Sequence, residues 1–212
     1  MQVKNKIMYH YHNKDIYSDI WQVGNEITVD DNFMSDFCMR LQHFSTAVEA
    51  YNENDEKVLS SFDKILEGYL DKDRYKNLSD ELIYKLFTEA SGIIRNTNLC
   101  HGEYMLERYR KFNYPHLPSR YHSIWVTDEN SLEFWESKLN ATNYLKLCKL
   151  QLTGELFKSS DTFLLDSNLT LSEMYEQSER YWNPDFSIEE SNERVEYLFQ
   201  GKAKILEMKK IK

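Results

Sequence analysis

The sequence predicts an α+β protein with a mostly antiparallel sheet. Strand patterns come first along the chain, helical patterns follow, and strand patterns return, which is typical of that class. Residues 144–152 alternate apolar and polar side chains almost perfectly, as a half-buried strand does. Residues 33–112 repeat apolar side chains at helical spacing instead. We therefore expect a single domain, residues 1–212, with a large helical insert at about 33–112.

Two short strands are predicted before the insert. Residues 7–12 alternate weakly and end in Tyr-His-Tyr-His, and a turn at Gly24-Asn25 leads into a second strand that ends at Val29. The first residues, MQVKNKIMYHYH, contain no apolar signal region, so we interpret them as the first strand.

The predicted insert rests on apolar side chains spaced by three or four residues. The positions that repeat in this way are Leu41, Phe44, Val48, Tyr51, Val58, Phe62, Ile65, Leu66 and Tyr69. Further helices are predicted from residues 78–81 onward and over residues 90–112. In the last helix Glu103, Glu107 and Arg110 share one face. We interpret that face as a solvated charge ladder in preference to a functional face.

A polar corner ends the helical region. Pro115 and Pro118 restrict the residues before them to extended conformations, so a helix has to stop here. Ser119 and Arg120 follow directly, and residues 121–127 then favour a strand. Loops held on a rigid scaffold often present polar groups to a cleft, so the corner is a candidate for ligand chemistry. The alternative is a buried strand followed by a packing helix.

The rest of the chain supplies one more helix and the last strands. The apolar trio at residues 124–126 predicts a strand buried on both faces, and residues 128–131 predict a turn and cap for a short helix. Residues 161–165 predict a short extended piece, and residues 169–182 predict an amphipathic helix ended by Asn183-Pro184. Two final strands are expected, with a kink at Gln200-Gly201 between them. They cover residues 195–199 and 202–206.

Composition and motifs exclude several classes of protein. The net charge of −9 argues against general nucleic-acid binding through phosphates. No apolar run is long enough to span a membrane, and three scattered cysteines fit a reducing cytoplasm. The 6 glycines never form GxGxxG or a P-loop, so a nucleotide cannot be held in either of those ways.

Two groups of side chains suggest chemistry before any family is considered. His10 and His12 project from one face of the first strand, which permits a metal site or, with better support, a single histidine that orients a ligand hydroxyl. Glu196 lies inside an otherwise apolar strand, where a carboxylate is either on the wet face or a poised acid. A thiol nucleophile at Cys100-His101 is disfavoured, because neighbours on a helix do not face each other.

Four segments resemble, in order, a family of small bacterial proteins of unknown function that is grouped with the ADP-ribosyltransferase-like folds. They are GEYMLERYRKFNYPHLPSRYHSIWVTDENSLEFW, YLKLCKLQLTGELF, SEMYEQSERYW and ERVEYLFQGKAKILE. The resemblance covers residues 102–207 well and MYHYH…WQVGNEITV more loosely. The family's proline-serine-arginine corner is present at residues 118–120, whereas Trp125 stands where a tyrosine is usual.

The resemblance implies a three-part site for NAD. Tyr9-His10 is similar to its first part, Ser123-Ile124-Trp125 with Trp135 to its second, and the strand around Glu196 to its third. Glu196 and His10 are then the catalytic candidates, although His12 stays open as an alternative to His10. The cofactor-binding candidates are His10, Tyr11, Ser119, Arg120, Ser123, Trp125 and Trp135, and no metal is implied. We expect His10, Ser119, Arg120, Trp125 and Glu196 to converge on one pocket.

The implied activity is transfer of ADP-ribose from NAD, as a substrate, to an unknown acceptor in the bacterial cytoplasm, which makes the protein a glycosyltransferase. The acceptor is open between protein, RNA, DNA and a small molecule, and a toxin or an anti-phage effector would fit. The alternatives are a catalytically inactive binding module of the same fold and a helical adaptor without a cleft. Arg120 has two interpretations as well. It binds a phosphate or carboxylate of the ligand in forked geometry, or it pairs internally with Glu103 or Glu107.

Overall fold

The computed structural model of the protein describes residues 1–13, 20–51, 56–70, 79–139, 145–164, 169–183 and 194–211. Its strands are β1 (Gln2–Asn13), β2 (Glu26–Val29), β3 (Ala47–Tyr51), β4 (Lys57–Ser61), β5 (Ile124–Val126), β6 (Leu145–Ser160) and β7 (Val195–Lys210). Its α-helices are α1 (Asp36–Gln42), α2 (Phe62–Leu70), α3 (Asp80–Asn113), α4 (Leu132–Leu139) and α5 (Leu171–Trp182). The predicted α+β class with a mostly antiparallel sheet is confirmed.

The chain divides into two compact units. The first consists of Met1–Met39 with Gly102–Lys212, and the second of Arg40–His101. None of the helices in the described ranges is long and apolar enough to cross a membrane. Whether the two units together form one ADP-ribosyltransferase-like domain stays a prediction.

The first unit contains a five-stranded antiparallel sheet. Its strand order is β1-β6-β7-β2, and β5 pairs with another part of β7. Tyr9 and Thr127 also exchange two backbone hydrogen bonds, of 2.9 and 2.8 Å, which connect β1 with the end of β5. The strands predicted around His10, Trp125, Leu147 and Glu196 therefore belong to one sheet, as expected.

The two faces of this sheet carry different side chains. Met8, Leu150 and Ile205 lie on one face, which we call the core face, together with the buried Trp21. The other face carries Phe157 and Leu198, which pack against α3 and α5. We call it the helix-covered face. Since side chains alternate along a strand, the face of each residue follows from its register.

Two glycines face each other across β6 and β7. Gly154 of β6 pairs with Gly201 of β7, and both have positive φ angles, of 154° and 133°. A Cβ atom on Gly201 would lie 2.5 Å from the backbone oxygen of Thr153, so no larger residue fits without a shift of the backbone. The two strands predicted on either side of a kink at Gln200-Gly201 are one continuous strand, β7, whose pairing with β6 runs through Gly201.

The predicted helical insert needs a correction in the second unit. Ala47–Tyr51 and Lys57–Ser61 form a two-stranded antiparallel hairpin rather than helices. The apolar spacing of this stretch fits either state over so few residues, and cross-strand pairing decides it. The two helices expected from residues 78–81 and 90–112 are one continuous helix of 34 residues, α3.

Two smaller predictions differ from the structure or lie outside it. The extended piece expected at residues 161–165 is a 3-10 turn at Asp161–Phe163, because the Ser160 side chain accepts a hydrogen bond from the Thr162 amide and caps it. Residues 78, 165 and 184, which belonged to predicted boundaries, lie outside the described ranges. The helix at residues 169–182 is confirmed as α5, capped by Thr170.

Candidate functional site

Arg120 is the centre of a buried polar network on the helix-covered face. Its Nε and Nη2 atoms donate to the two oxygens of Glu103 on α3, both over 2.7 Å. Its Nη1 donates to Oε1 of Glu196 on β7 over 2.7 Å and to the Tyr181 hydroxyl on α5. Tyr181 in turn donates to the same Oε1 of Glu196. Three elements distant in sequence thus meet at one guanidinium.

The network is charged and almost completely buried. Arg120 is 2 % exposed and Glu196 is 4 % exposed. Burial alone would lower the pKa of Arg120, but the carboxylates of Glu103 and Glu196 and the phenol of Tyr181 raise it well above its ordinary value. Burial raises the pKa of Tyr181, and Glu196 raises it further, so the phenol keeps its proton and acts as a donor.

Aromatic rings and a backbone contact hold Arg120 in place. Its guanidinium carbon lies 4.8 Å from the centre of the Tyr181 ring and 5.4 Å from that of the Trp125 ring. The Cys38 thiol donates to the Arg120 carbonyl over 3.6 Å, and burial raises the pKa of this thiol to about 12. Cys38 is therefore a packing residue and not a nucleophile.

A second buried ion pair fixes the backbone of the polar corner. Arg110 donates to Glu107 over 2.6 and 3.1 Å and to the carbonyls of Pro115 and Leu117 over 3.1 and 2.8 Å. Ser119 donates to the same Glu107 over 3.0 Å. The corner after α3 is thus tied back onto the helix, and the Ser119 hydroxyl already has a partner inside the protein.

The interpretation of Glu103, Glu107 and Arg110 as a solvated ladder is wrong. All three are buried, at 7 %, 3 % and 7 % exposure. The spacing correctly places them on one face of α3, but that face packs inward because Arg120 and the corner carbonyls supply partners for the charges. The alternative that Arg120 pairs with Glu103 is confirmed.

Glu196 differs from the other two buried glutamates of the site. Both oxygens of Glu103 accept from Arg120, and both oxygens of Glu107 accept from Arg110. In Glu196 only Oε1 accepts, and Oε2 has no hydrogen-bond partner among the described residues. Among the described residues, the fully buried side-chain atoms that lack a hydrogen-bond partner are Ser123 Oγ and Ser131 Oγ. Oε2 of Glu196 is not one of them, and the Glu196 side chain as a whole is 5 % exposed.

His10 does not join this network, which corrects the expectation of one pocket. His10 pairs in register with Cys148 on the core face, whereas Glu196 pairs with Ser159 on the helix-covered face. The His10 ring stacks on Trp21 at 4.6 Å, and its Nδ1 donates to the carbonyl of Trp125 over 2.8 Å. Strand alternation is the physical reason, because it sends these two side chains to opposite faces.

Both histidines of β1 are neutral at ordinary pH. Burial lowers the pKa of His10 to about 4. Burial, with the nearby His10 and Lys146, lowers the pKa of His12 to about 3. Both rings stack on one indole, since His12 also lies 4.6 Å from Trp21. Among the described residues no group of three or more His, Cys, Asp or Glu side chains could hold a metal ion.

The other predicted site residues lie apart from the Glu196 carboxylate. The Tyr11 hydroxyl donates to the Leu132 carbonyl over 2.7 Å. Trp135 Nε1 donates to the Val195 carbonyl over 2.8 Å, one residue before Glu196. Ser123 is fully buried, and its hydroxyl has no hydrogen-bond partner in the part of the chain that the structure describes. The structure thus unites Arg120, Trp125 and Glu196.

Sequence reasoning missed Tyr181 as a member of the network. The signal was present, since Tyr181-Trp182 is an aromatic pair at the end of the amphipathic α5, but such a pair more often reports packing. A cavity of about 350 Å³ also exists in the first unit, with Ile20, Asn25, Glu26, Ile27, Thr28 and Phe33 along its walls. None of the predicted site residues lines it.

The fold and site define the class as an α+β protein with an antiparallel sheet and a buried Arg–Glu–Tyr network on one face. The chain belongs to the family described as "Protein of unknown function (DUF2441)", whose family model matches residues 8–212. No curated protein matches the chain. The expected membership of an unknown-function family is confirmed, and the ADP-ribosyltransferase-like fold stays a prediction.

Proposed function

We propose that the protein is an NAD-dependent ADP-ribosyltransferase in which Glu196 is the catalytic carboxylate. The observation that carries the proposal is that Oε2 of Glu196 has no hydrogen-bond partner among the described residues, in a network where the oxygens of Glu103 and Glu107 are all occupied. The resemblance of the strand around Glu196 to the third part of an NAD site agrees with this choice. That the fold is similar to that of ADP-ribosyltransferases is part of the same proposal.

Arg120 and Tyr181 give Glu196 a defined orientation. Both donate to Oε1, so rotation of the carboxylate would break two hydrogen bonds in a buried site. Oε2 is then the oxygen that accepts a hydrogen bond from a ribose hydroxyl of NAD. Because the arrangement exists before the ligand arrives, it costs little reorganisation during the reaction.

The proposed reaction breaks the bond between nicotinamide and ribose. Nicotinamide leaves with the bonding electron pair, and positive charge develops on the ribose as in glycoside cleavage. A fixed carboxylate beside the ribose stabilises that charge. The acceptor then forms a bond to the anomeric carbon and releases a proton. Trp125, which is half-buried beside Arg120, offers a flat surface for the nicotinamide ring.

One observation favours a second candidate, a binding module without turnover. His10, the first part of the three-part pattern, lies on the core face, and its Nδ1 is already engaged by the Trp125 carbonyl. The pattern is therefore not assembled at one point in this conformation. The acceptor, the cytoplasmic location, and a role as toxin or anti-phage effector are parts of the first proposal and are tested only through it.

The deciding experiment measures NAD turnover and NAD affinity for wild type, Glu196→Gln and Trp125→Ala. We expect Glu196→Gln to lower turnover by roughly a hundredfold, the scale for loss of one electrostatic partner of the transition state. Affinity should change little, because that interaction strengthens only in the transition state. Trp125→Ala should weaken binding through lost stacking. Glu207→Gln is the matched control, since Glu207 is an exposed carboxylate on the same strand.

The outcomes separate the two candidates. Wild-type protein that neither binds nor consumes NAD would support the binding module. An active Glu196→Gln enzyme would move the catalytic role to another carboxylate. If turnover is present, labelled NAD incubated with cell lysate, followed by separation of protein and nucleic-acid fractions, identifies the acceptor class.

A further inference from the structure

One side of α3 within the second unit is apolar and exposed. The structure describes α3 throughout, and the buried residues of this helix begin only at Gly102. Before that point Tyr84, Phe87 and Ile94 are 75 %, 74 % and 61 % exposed. Single exposed apolar side chains are ordinary, but a group of large ones along one helix marks an interaction surface.

These side chains belong to a regular pattern, which we call the seam. Its members follow one another at alternating spacings of four and three residues, the repeat with which one α-helix packs along another. They are Asp80, Tyr84, Phe87, Ser91, Ile94 and Asn98. Asn98 is half-buried and the others are exposed. The seam is about 27 Å long, so it can lie along a second helix over several turns.

The seam is complementary to itself when two copies of α3 run antiparallel. A two-fold axis through the middle of the seam places Tyr84 of one copy against Ile94 of the other, and Phe87 against the small Ser91. The polar residues at its two ends then meet each other. A shift of one copy by seven residues would place Phe87 against Asn98 instead. The apolar contacts therefore favour one register.

The charges beside the seam select the same register. Glu81 and Arg95 follow directly after Asp80 and Ile94, so they flank the seam on the same side. In the antiparallel register Glu81 of each copy lies opposite Arg95 of the other, which gives two equivalent ion pairs. Neither side chain has an ion-pair partner among the described residues. In a parallel pair of helices they would be about 21 Å apart along the axis and could not meet.

We propose that the chain forms an antiparallel homodimer through the seam of α3. The occupant of the exposed face is a second copy of the chain, because an isologous interface requires a surface that complements itself and the seam does so in both side-chain size and charge. The contact uses residues of the second unit alone. It does not involve Glu196 and is independent of the proposed NAD chemistry.

Analytical ultracentrifugation of the full chain over a range of concentrations tests the dimer. We expect wild type to dimerise with a dissociation constant in the micromolar range, as small interfaces do. Phe87→Gln and Ile94→Gln should each weaken the dimer about tenfold, because each removes an apolar contact that occurs twice across the axis. Leu59→Gln is the matched control, since Leu59 is 76 % exposed on β4 of the same unit. Circular dichroism verifies that each variant is folded.

Charge reversal tests the orientation and the register. Glu81→Arg places two arginines opposite each other, and Arg95→Glu places two glutamates there, so each variant alone should dimerise about tenfold more weakly than wild type. An equimolar mixture of the two variants should recover dimerisation, because every arginine then faces a glutamate. A mixture that dimerises no better than either variant would contradict the antiparallel register.

Two further results would overturn the dimer. Wild-type protein that stays monomeric at about 100 μM, well above a micromolar dissociation constant, would assign the seam to a different protein. A dimer that persists unchanged in the folded Phe87→Gln and Ile94→Gln variants would be formed by another surface. Dimerisation that is lost in these two variants and kept in Leu59→Gln supports the seam as the interface.

Discussion

Arg120 neutralises two buried carboxylates, so its loss should be the most damaging substitution in the network. Arg120→Gln leaves Glu103 and Glu196 buried without their cation, and we expect the free energy of unfolding to fall by about 3–5 kcal/mol. Urea unfolding measures it. Lys202→Gln breaks an exposed pair and should change stability by no more than about 1 kcal/mol. Equal effects of the two substitutions would show that the buried network contributes little.

Tyr181 contributes to the same network through its hydroxyl alone. Tyr181→Phe keeps the ring beside Arg120 and removes the donor to Glu196, so we expect a loss of about 1–2 kcal/mol in unfolding free energy. Tyr175→Phe is a matched control on the same helix, since Tyr175 is 54 % exposed. It should be nearly neutral. A Tyr181→Phe protein as stable as wild type would argue against a stabilising hydrogen bond at Glu196.

Among the structural elements, the paired strands β6 and β7 depend on glycine where they approach most closely. Gly201→Ala places a Cβ atom 2.5 Å from the Thr153 oxygen at a φ of 133°, so the strands must separate. We expect a loss of at least about 2 kcal/mol, from strain and from broken pairing. Chemical unfolding followed by circular dichroism measures it. Unchanged stability would mean that the strands can move apart at no cost.

A glycine-to-alanine substitution inside a helix should have the opposite effect on stability. Gly92 lies inside α3, and a Cβ atom there meets nothing within 4 Å. Gly92→Ala should therefore stabilise the protein by about 0.5–1 kcal/mol, because glycine loses more backbone freedom than alanine when a helix forms. A destabilised Gly92→Ala variant would mean that this face of α3 is in contact with another part of the protein.

For the whole molecule, His10 and His12 predict how stability depends on pH. The unfolded chain protonates histidine near pH 6.5, whereas burial lowers the folded pKa values to about 4 and about 3. The stabilisation is fully present above pH 6.5 and is lost as the pH falls toward 4 and 3, because the unfolded state then binds more protons. We expect a loss of roughly 1–2 kcal/mol for each histidine between pH 7 and pH 5.

Urea unfolding at pH 7 and pH 5 checks this dependence. His12→Gln should remove about half of the difference between the two pH values, since one of the two buried imidazoles no longer titrates. Wild-type protein that is equally stable at pH 7 and pH 5 would show that the unfolded chain binds no more protons than the folded chain. That result would contradict the lowered pKa values of His10 and His12 in the folded protein.

The polar corner shows how much of the candidate site can be predicted from the local sequence. Pro115 and Pro118 predict the end of α3, and the sequence around Arg120 predicts a charged corner before a buried strand, as observed. The same pattern left open whether Arg120 meets a ligand or Glu103. Three-dimensional proximity decides that question, because the two residues are 17 positions apart and their pairing depends on how the corner folds back on α3.

By itself the sequence determined the class, the strands of one antiparallel sheet, α4 and α5, because apolar periodicity and caps act over a few neighbouring residues. Only the tertiary structure decided the hairpin at β3 and β4, the burial of the charged face of α3, and the separation of His10 from Glu196 by the sheet. Each of these depends on register or on partners far along the chain, which local spacing does not encode.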